Sequence, residues 1–207
     1  MTTIILCRHG ESEGNAERRF GGHGTTPLTP RGRAQAQAAG RALAAEGVDA
    51  LYTSDLARAL ETADLIGVAL GCTPVPTAAL RERSVGILTG LTFEEAAARH
   101  PEHYAALLTQ DPDACPPGGE THTECSQRAV RFLDQVLAEH AGQRVLLISH
   151  NLCMYHLVRH ILGLHDNPQA PLCYFQLDNC ALSHFARHDQ GIWKVIALNE
   201  RGHLEGT

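Results

Sequence analysis

Two short apolar runs in this chain each end in a histidine. Ile4-Ile5-Leu6-Cys7 leads into Arg8-His9-Gly10-Glu11-Ser12, and Val145-Leu146-Leu147-Ile148 leads into Ser149-His150-Asn151. A buried strand that brings a guanidinium, an imidazole and a glycine to one point is arranged to handle an anion. Neutral imidazole is also a nucleophile near pH 7 that needs no separate base. A packing or capping role explains one histidine at a strand end, but two such endings are hard to explain by core packing alone. The same residues offer a competing chemistry. Cys7-x-His9 and His150-x-x-Cys153 supply four N/S ligands, the number zinc takes, although Cys153 is expected to face the core from a helix after His150.

Both histidines must be held by the surrounding elements, and these alternate between strand and helix. A glycine-rich loop, Phe20-Gly21-Gly22-His23-Gly24, follows the first run. Thr29-Pro30 reads as an N-cap and first helical residue, with the helix running to about Glu46 and stopping at Gly47. Ala50 to Thr53 reads as a strand. Ser54 is placed to cap the next helix, whose Leu56, Leu60, Ala63, Ile66 and Leu70 share a face before Gly71. Residues 74–119 hold many of the prolines and short helical pieces such as Phe93 to His100, and read as an insertion or lid over the sheet edge. A helix from about Thr123 to His140, the second histidine-ending strand and a helix from about Leu152 to Leu162 follow. Two or three strands are expected in the last third, from the runs Cys173 to Leu177, Ala181 to Phe185 and Ile192 to Leu198. The expected class is a three-layer α/β/α fold, with a mainly parallel sheet, helices on both faces and a small helical lid. Ligands of such sheets sit beyond the carboxyl ends of strands at a switch in strand order, which would place His9 and His150 together.

Composition narrows the partners. At 207 residues the chain suits one domain, and a domain of this size buries roughly 70% of its unfolded surface. Net charge is −6, which argues against a nucleic-acid or acidic-membrane surface. An anion site must then win locally, within a Debye length of ~8–10 Å. Lys194 is the sole lysine, so nearly all fixed positive charge is guanidinium, suited to bidentate phosphate or carboxylate contacts. Seven cysteines with no CxxC pair suggest free, mostly buried thiols rather than a disulfide framework or zinc knuckle. No run approaches the ~20 apolar residues of a membrane span, and the start lacks a signal peptide's basic region, so a cytoplasmic location is expected.

Arg8-His9-Gly10-Glu11, Arg58 at a helix start, Glu82 and Ser149-His150 together resemble the histidine phosphatase superfamily, the phosphoglycerate mutase-like family. Asn15, Pro27-Leu28-Thr29, Ser54-Asp55-Leu56-Ala57-Arg58-Ala59, Leu80-Arg81-Glu82, Pro117-Gly118-Gly119-Glu120 and Asp178-Asn179 extend the resemblance over essentially the whole chain. Arg-His-Gly alone is a weak motif, whereas these landmarks in this order are specific. The resemblance implies a single such domain over residues 1–207, with a lid at about 74–119. It implies that His9 attacks phosphorus to give phosphohistidine, that Arg8 and Arg58 clamp the phosphoryl oxygens, and that Asn15 is a further donor. A protonated His150 would donate to a phosphoryl oxygen, and Glu82 would be the general acid that later activates water. Simpler readings stay open for two of these. Arg58 could pair with Glu61 along its helix, and Glu82 could be solvated between Arg81 and Arg83.

The chain departs from the family pattern at several places. Thr89 stands where a glutamate is usual after Gly86, Asn151 where glycine is usual after the second histidine, and Thr25 where an acidic residue is common. Asn151 could crowd the phosphate or cap the next helix. His23 in the glycine-rich loop could meet a substrate, but among 13 histidines it reads rather as a solvated loop residue. Phe93, Tyr104 and Leu107 line an apolar wall or form the lid's own core. Residues 99–119 offer Arg99, His100 and His103 but no paired arginines, a poor equipment for a bisphosphate cofactor. The expected activity is therefore a metal-independent, acid-type phosphomonoester hydrolase acting on a small phosphorylated substrate, with no cofactor, metal, nucleic acid or membrane. The alternatives are a cofactor-dependent phosphoglycerate mutase and a non-catalytic phosphate-binding regulatory domain. A homodimer is compatible with the sequence, which does not fix the oligomeric state.

Overall fold

The computed structural model describes residues 1–109, 111, 113–164 and 173–207; Gln110 and Pro112 of the expected lid lie outside these. The sheet has six strands: β1 (Thr2–Arg8), β2 (Ala50–Ser54), β3 (Val75–Thr77), β4 (Arg144–Ser149), β5 (Leu182–Arg187) and β6 (Trp193–Glu200). Their order is β3-β2-β4-β1-β5-β6. β1 to β4 run parallel, and β5 and β6 complete the sheet antiparallel.

Alternation along the strands builds the layers. Ile4, Leu6, Val145 and Leu147 face one way and pack under helices over His122–Glu139 and Asn151–Ile161. Ile5, Cys7, Leu146 and Ile148 face the other way, under helices over Pro30–Ala44 and Ala57–Leu70. All eight strand side chains are fully buried. Burial of each aliphatic chain stabilises by about 1.5–3 kcal/mol. This is the expected three-layer α/β/α arrangement. In chain order the helices are α1 (Glu13–Ala16), α2 (Pro30–Ala44), α3 (Ala57–Leu70), α4 (Phe93–Arg99), α5 (Pro101–Leu108), α6 (His122–Glu139) and α7 (Asn151–Ile161).

Local chemistry sets several boundaries. Thr29 Oγ1 accepts from Gly32 N–H with Pro30 at the first helical position, as expected, and Gly71 ends α3 in the left-handed region. Other expectations fail. Leu56, not Ser54, is the N-cap of α3. Residues 173–177 form no strand; the Leu177 carbonyl instead accepts from Arg8 Nη1 at 2.7 Å. Residues 75–77, expected in the lid, join the sheet edge, where Pro76 is tolerated because an edge need not donate on both sides.

Between β3 and α6 the chain forms its own small core. Val85, Leu88 and Ala96 pack with Phe20, Leu91, Tyr104 and Leu107, and Phe93 stacks on Phe20 at 4.8 Å. Tyr104 and Leu107 are thus core rather than wall. Phe20 and Leu91 exchange backbone contact (Phe20 N–H to Leu91 O, 2.9 Å), and Gly90 N–H donates to Phe20 O. These bonds tie the glycine-rich loop to the segment around residue 90. β6, at the far edge, exposes Lys194, Val195, Ile196 and Leu198.

Candidate active site

Parallel pairing aligns Cys7 with Ile148 and Arg8 with Ser149, and His9 N–H extends the ladder to Ser149 O at 3.0 Å. The two histidines therefore leave adjacent strands side by side. Their ring centroids lie 4.9 Å apart at 55°.

His9 is held from three directions. Its Nδ1 meets Gly10 O at 2.7 Å. A carbonyl only accepts, so Nδ1 carries the proton and Nε2 presents its lone pair. Asn179 Nδ2 donates to His9 O at 2.8 Å. Gly10 N–H donates to Thr62 Oγ1 on α3, which in turn donates to Arg58 O.

Arg58, in the first turn of α3, joins the two rings. Its Nε lies 3.2 Å from both His9 Nε2 and His150 Nδ1. Its terminal nitrogens are fixed by Gly24 O (3.1 Å) and Gly22 O (2.9 Å) of the glycine-rich loop. The side chain is only 3% exposed. The helical Arg58–Glu61 pair does not form: Glu61 accepts from Arg33 and from Leu28 N–H.

His150 completes the cluster. Nδ1 faces Arg58, and Nε2 meets Ser54 Oγ at 2.8 Å, with both residues fully buried. Burial, then the Arg58 charge, holds both imidazoles well below the usual histidine range. Both rings are thus neutral at pH 7. That suits His9 as a nucleophile but differs from the protonated His150 expected above. The physical reason is that a second cation is disfavoured in a dry site beside Arg58.

Arg8 lies at the end of β1. Its Nη1 is held by Leu177 O, and its Nε is buried without a partner. Glu82 is not the solvated residue of the simpler reading. Its carboxylate accepts N–H groups of Leu152 and Cys153 at 3.3 Å and of Arg83 at 2.9 Å, so it sits at the N-terminus of α7, where an anion is favoured. Its charge reaches Arg8 and Arg58 and opposes the effect of burial on both. Arg81 binds Asp55 instead, at 2.6 Å. His23 Nε2 donates to Glu82 O at 2.8 Å, so it is docked on this backbone and not a solvated loop residue.

Asn15 forms a capping box with Ser12. Its Oδ1 also accepts from Asn179 at 3.3 Å, which leaves its amide NH2 without a partner among the described residues. Asn151 neither caps α7 nor turns on His150: its Nδ2 donates to Tyr174 Oη at 2.8 Å. The four residues of the competing zinc reading do not converge, because Cys7 packs on one face of the sheet and Cys153 on the other. All seven cysteines are free, and Cys7, Cys125, Cys153 and Cys180 are buried. Sequence reasoning missed Ser54, Thr62 and Asn179 as supports of the two histidines. The landmarks Ser54-Asp55-Leu56-Ala57-Arg58-Ala59 and Asp178-Asn179 carried a signal for Ser54 and Asn179, and Thr62 had none.

The sequence profile of the histidine phosphatase superfamily (branch 1) matches residues 4–201. The chain belongs to this superfamily. A relative from Klebsiella pneumoniae named "Probable phosphoglycerate mutase GpmB" is 36% identical over 183 residues, 88% of this chain and 84% of the relative. One of the same name from Erwinia tasmaniensis is 33% identical over 212 residues, covering 100% and 97%. Among solved structures, the alpha-ribazole phosphatase from Shigella flexneri superposes with TM-score 0.86 at 28% identity, covering 96% of each chain. A phosphoserine phosphatase from Entamoeba histolytica, solved with phosphoserine, gives 0.82 at 27%, covering 99% of this chain and 100% of that one. The superfamily unites phosphatases and mutases, and these structural neighbours carry phosphatase names. Among the described residues no helix is long and apolar enough to cross a membrane.

Proposed function

We propose that this protein hydrolyses a small phosphomonoester through a phosphohistidine on His9. The observation that carries the reading is the fixed tautomer of His9. Its proton is held on Nδ1 by Gly10 O, and its Nε2 lone pair faces the Arg58–His150 cluster. In the first step His9 Nε2 attacks phosphorus and the P–O bond to the alcohol breaks. Glu82 gives its proton to the leaving oxygen. In the second step Glu82, now a carboxylate, takes a proton from water as the water oxygen attacks phosphorus and the N–P bond breaks. Arg8, Arg58 and the Asn15 amide hold the phosphoryl oxygens, whose charge grows outward in the transition state. A dianion set against Arg8 and Arg58 offsets the charges that hold His150 down, so that His150 can carry a proton and donate from Nδ1. In this reading no metal takes part.

Rapid-quench labelling tests the reading. Phosphate-labelled ester should give a burst of acid-labile phosphoprotein in the unaltered protein and none in His9→Ala. A burst retained in His9→Ala removes His9 as nucleophile. The names of the curated relatives favour mutase activity as a second reading. Against it, Arg99 is exposed and engaged with Glu95 on its own helix. Conversion of 3-phosphoglycerate to 2-phosphoglycerate with added 2,3-bisphosphoglycerate, without phosphate release, would decide for the mutase.

A further inference from the structure

Tyr174 stands beside the site and has no part in the chemistry above. It is 63% exposed, so its ring gains little from folding. Even so, it is held at two places. Oη accepts from Asn151 Nδ2 at 2.8 Å. The ring centre lies 5.9 Å from that of Tyr155, with 31° between the planes, a separation at which aromatic rings attract. Tyr155 is itself buried and meets Phe175 at 6.1 Å, and Arg159 Cζ lies 5.7 Å from its ring centre. Tyr174 is therefore backed by an aromatic cluster, while much of its own surface stays open to a ligand.

Three observations place this ring next to the reacting atoms. Asn151 follows His150 directly and is the first residue of α7. Glu82 accepts from the next two N–H groups of that helix, those of Leu152 and Cys153, at 3.3 Å. The electrostatic effect of Tyr174 also reaches Arg8. The proton donor for the leaving oxygen and the tether of Tyr174 thus share one turn of one helix. Oη is the tethered end, so the ring runs away from that turn toward solvent. A leaving alcohol must also depart outward, because attack and departure are in line across phosphorus. The tether depends on this chain's own residue at 151: the glycine usual there has no amide with which to hold Tyr174.

We propose that Tyr174, fixed by Asn151, is a stacking wall for the leaving group, so that the preferred substrates are phosphomonoesters whose alcohol carries a flat ring close to the bridging oxygen. This rests on the hydrolase reading above, and the test separates the two. Calorimetry on His9→Ala protein, chosen to block turnover, compares benzyl phosphate with propyl phosphate. Both are alkyl esters, and only the first carries a ring. Benzyl phosphate should bind about ten-fold more tightly, as one stacked ring gives. Adding Tyr174→Ala should bring that ratio below about three-fold and leave propyl phosphate within about two-fold of its former affinity. A ratio near one in His9→Ala overturns the wall, as does a ratio that Tyr174→Ala leaves intact. An equal loss for the two esters also overturns it, because Tyr174 would then serve the phosphoryl group alone. Phosphate release by the unaltered protein is measured separately. Its absence from every ester, with the binding preference intact, would take down the hydrolase reading and leave the wall standing.

Discussion

At the scale of single residues, the site depends on one guanidinium nitrogen. Arg58 Nε bridges two neutral imidazoles while both terminal nitrogens are tied to glycine carbonyls. Lysine keeps the charge but cannot make these four contacts from one rigid plane. Arg58→Lys should therefore lose nearly as much turnover as Arg58→Ala, on the order of 10²–10³ for each; kcat for both variants checks this, and a lysine rescue to within ten-fold would reduce Arg58 to a point charge. Glu82→Gln should slow alkyl phosphates far more than p-nitrophenyl phosphate, whose phenolate leaves without a proton. Equal losses on the two would remove Glu82 from the acid role. His9, Arg58 and His150 were legible in the sequence because strand ends and a helix start announce them locally. Ser54 was not, since its hydroxyl serves a ring 96 positions away. Arg83 was not singled out, because nothing in the run Arg81-Glu82-Arg83 marks its last cation for burial, and only the tertiary fold buries it.

At the scale of elements, the loop after His9 rests directly on the first turn of α2. A Cβ on Gly32 would lie 2.0 Å from Glu11 O, and one on Gly10 would lie 2.4 Å from Gly32 O. Both obstacles are backbone, so no side chain can swing aside. Gly32→Ala should destabilise by about 1–3 kcal/mol and also lower kcat, because the displaced loop carries His9. Urea unfolding and kcat measured on the same variant check this; full activity at reduced stability would uncouple loop from nucleophile. The start of α2 could be read from sequence because Thr29 and Pro30 act within one turn. The stretch 173–177 could not: its apolar and aromatic residues suit a strand, but the carbonyl at 177 is taken by Arg8. β3 escaped because three residues around a proline give no alternation to read.

At the scale of the whole molecule, buried neutral histidines set the response to acid. His9 and His150 sit well below the usual range, and His122 at about 4. Above about pH 7 these groups are neutral both folded and unfolded and contribute nothing. As pH falls through about 6.5, the unfolded chain takes up protons that the folded one refuses, so stability is lost. Each such group costs up to about 1.4 kcal/mol per pH unit, against a typical total of about 5–15 kcal/mol. Urea midpoints should fall steeply from pH 7 to 5, and His122→Gln should flatten the slope by about one proton. A midpoint unchanged over that range would show that these rings titrate normally. Strand register also has a practical consequence at this scale. Lys194 pairs with Ala186, which pairs with Thr3, so the sole lysine lies level with the start of β1. At about 3.3 Å per residue, that is roughly 20 Å along the sheet from His9. The N-terminal amine, held by Asp189 at 3.4 Å, is at the same end. Amine-reactive attachment to a surface should therefore grip the protein by the base of its sheet and leave the pocket turned toward solution.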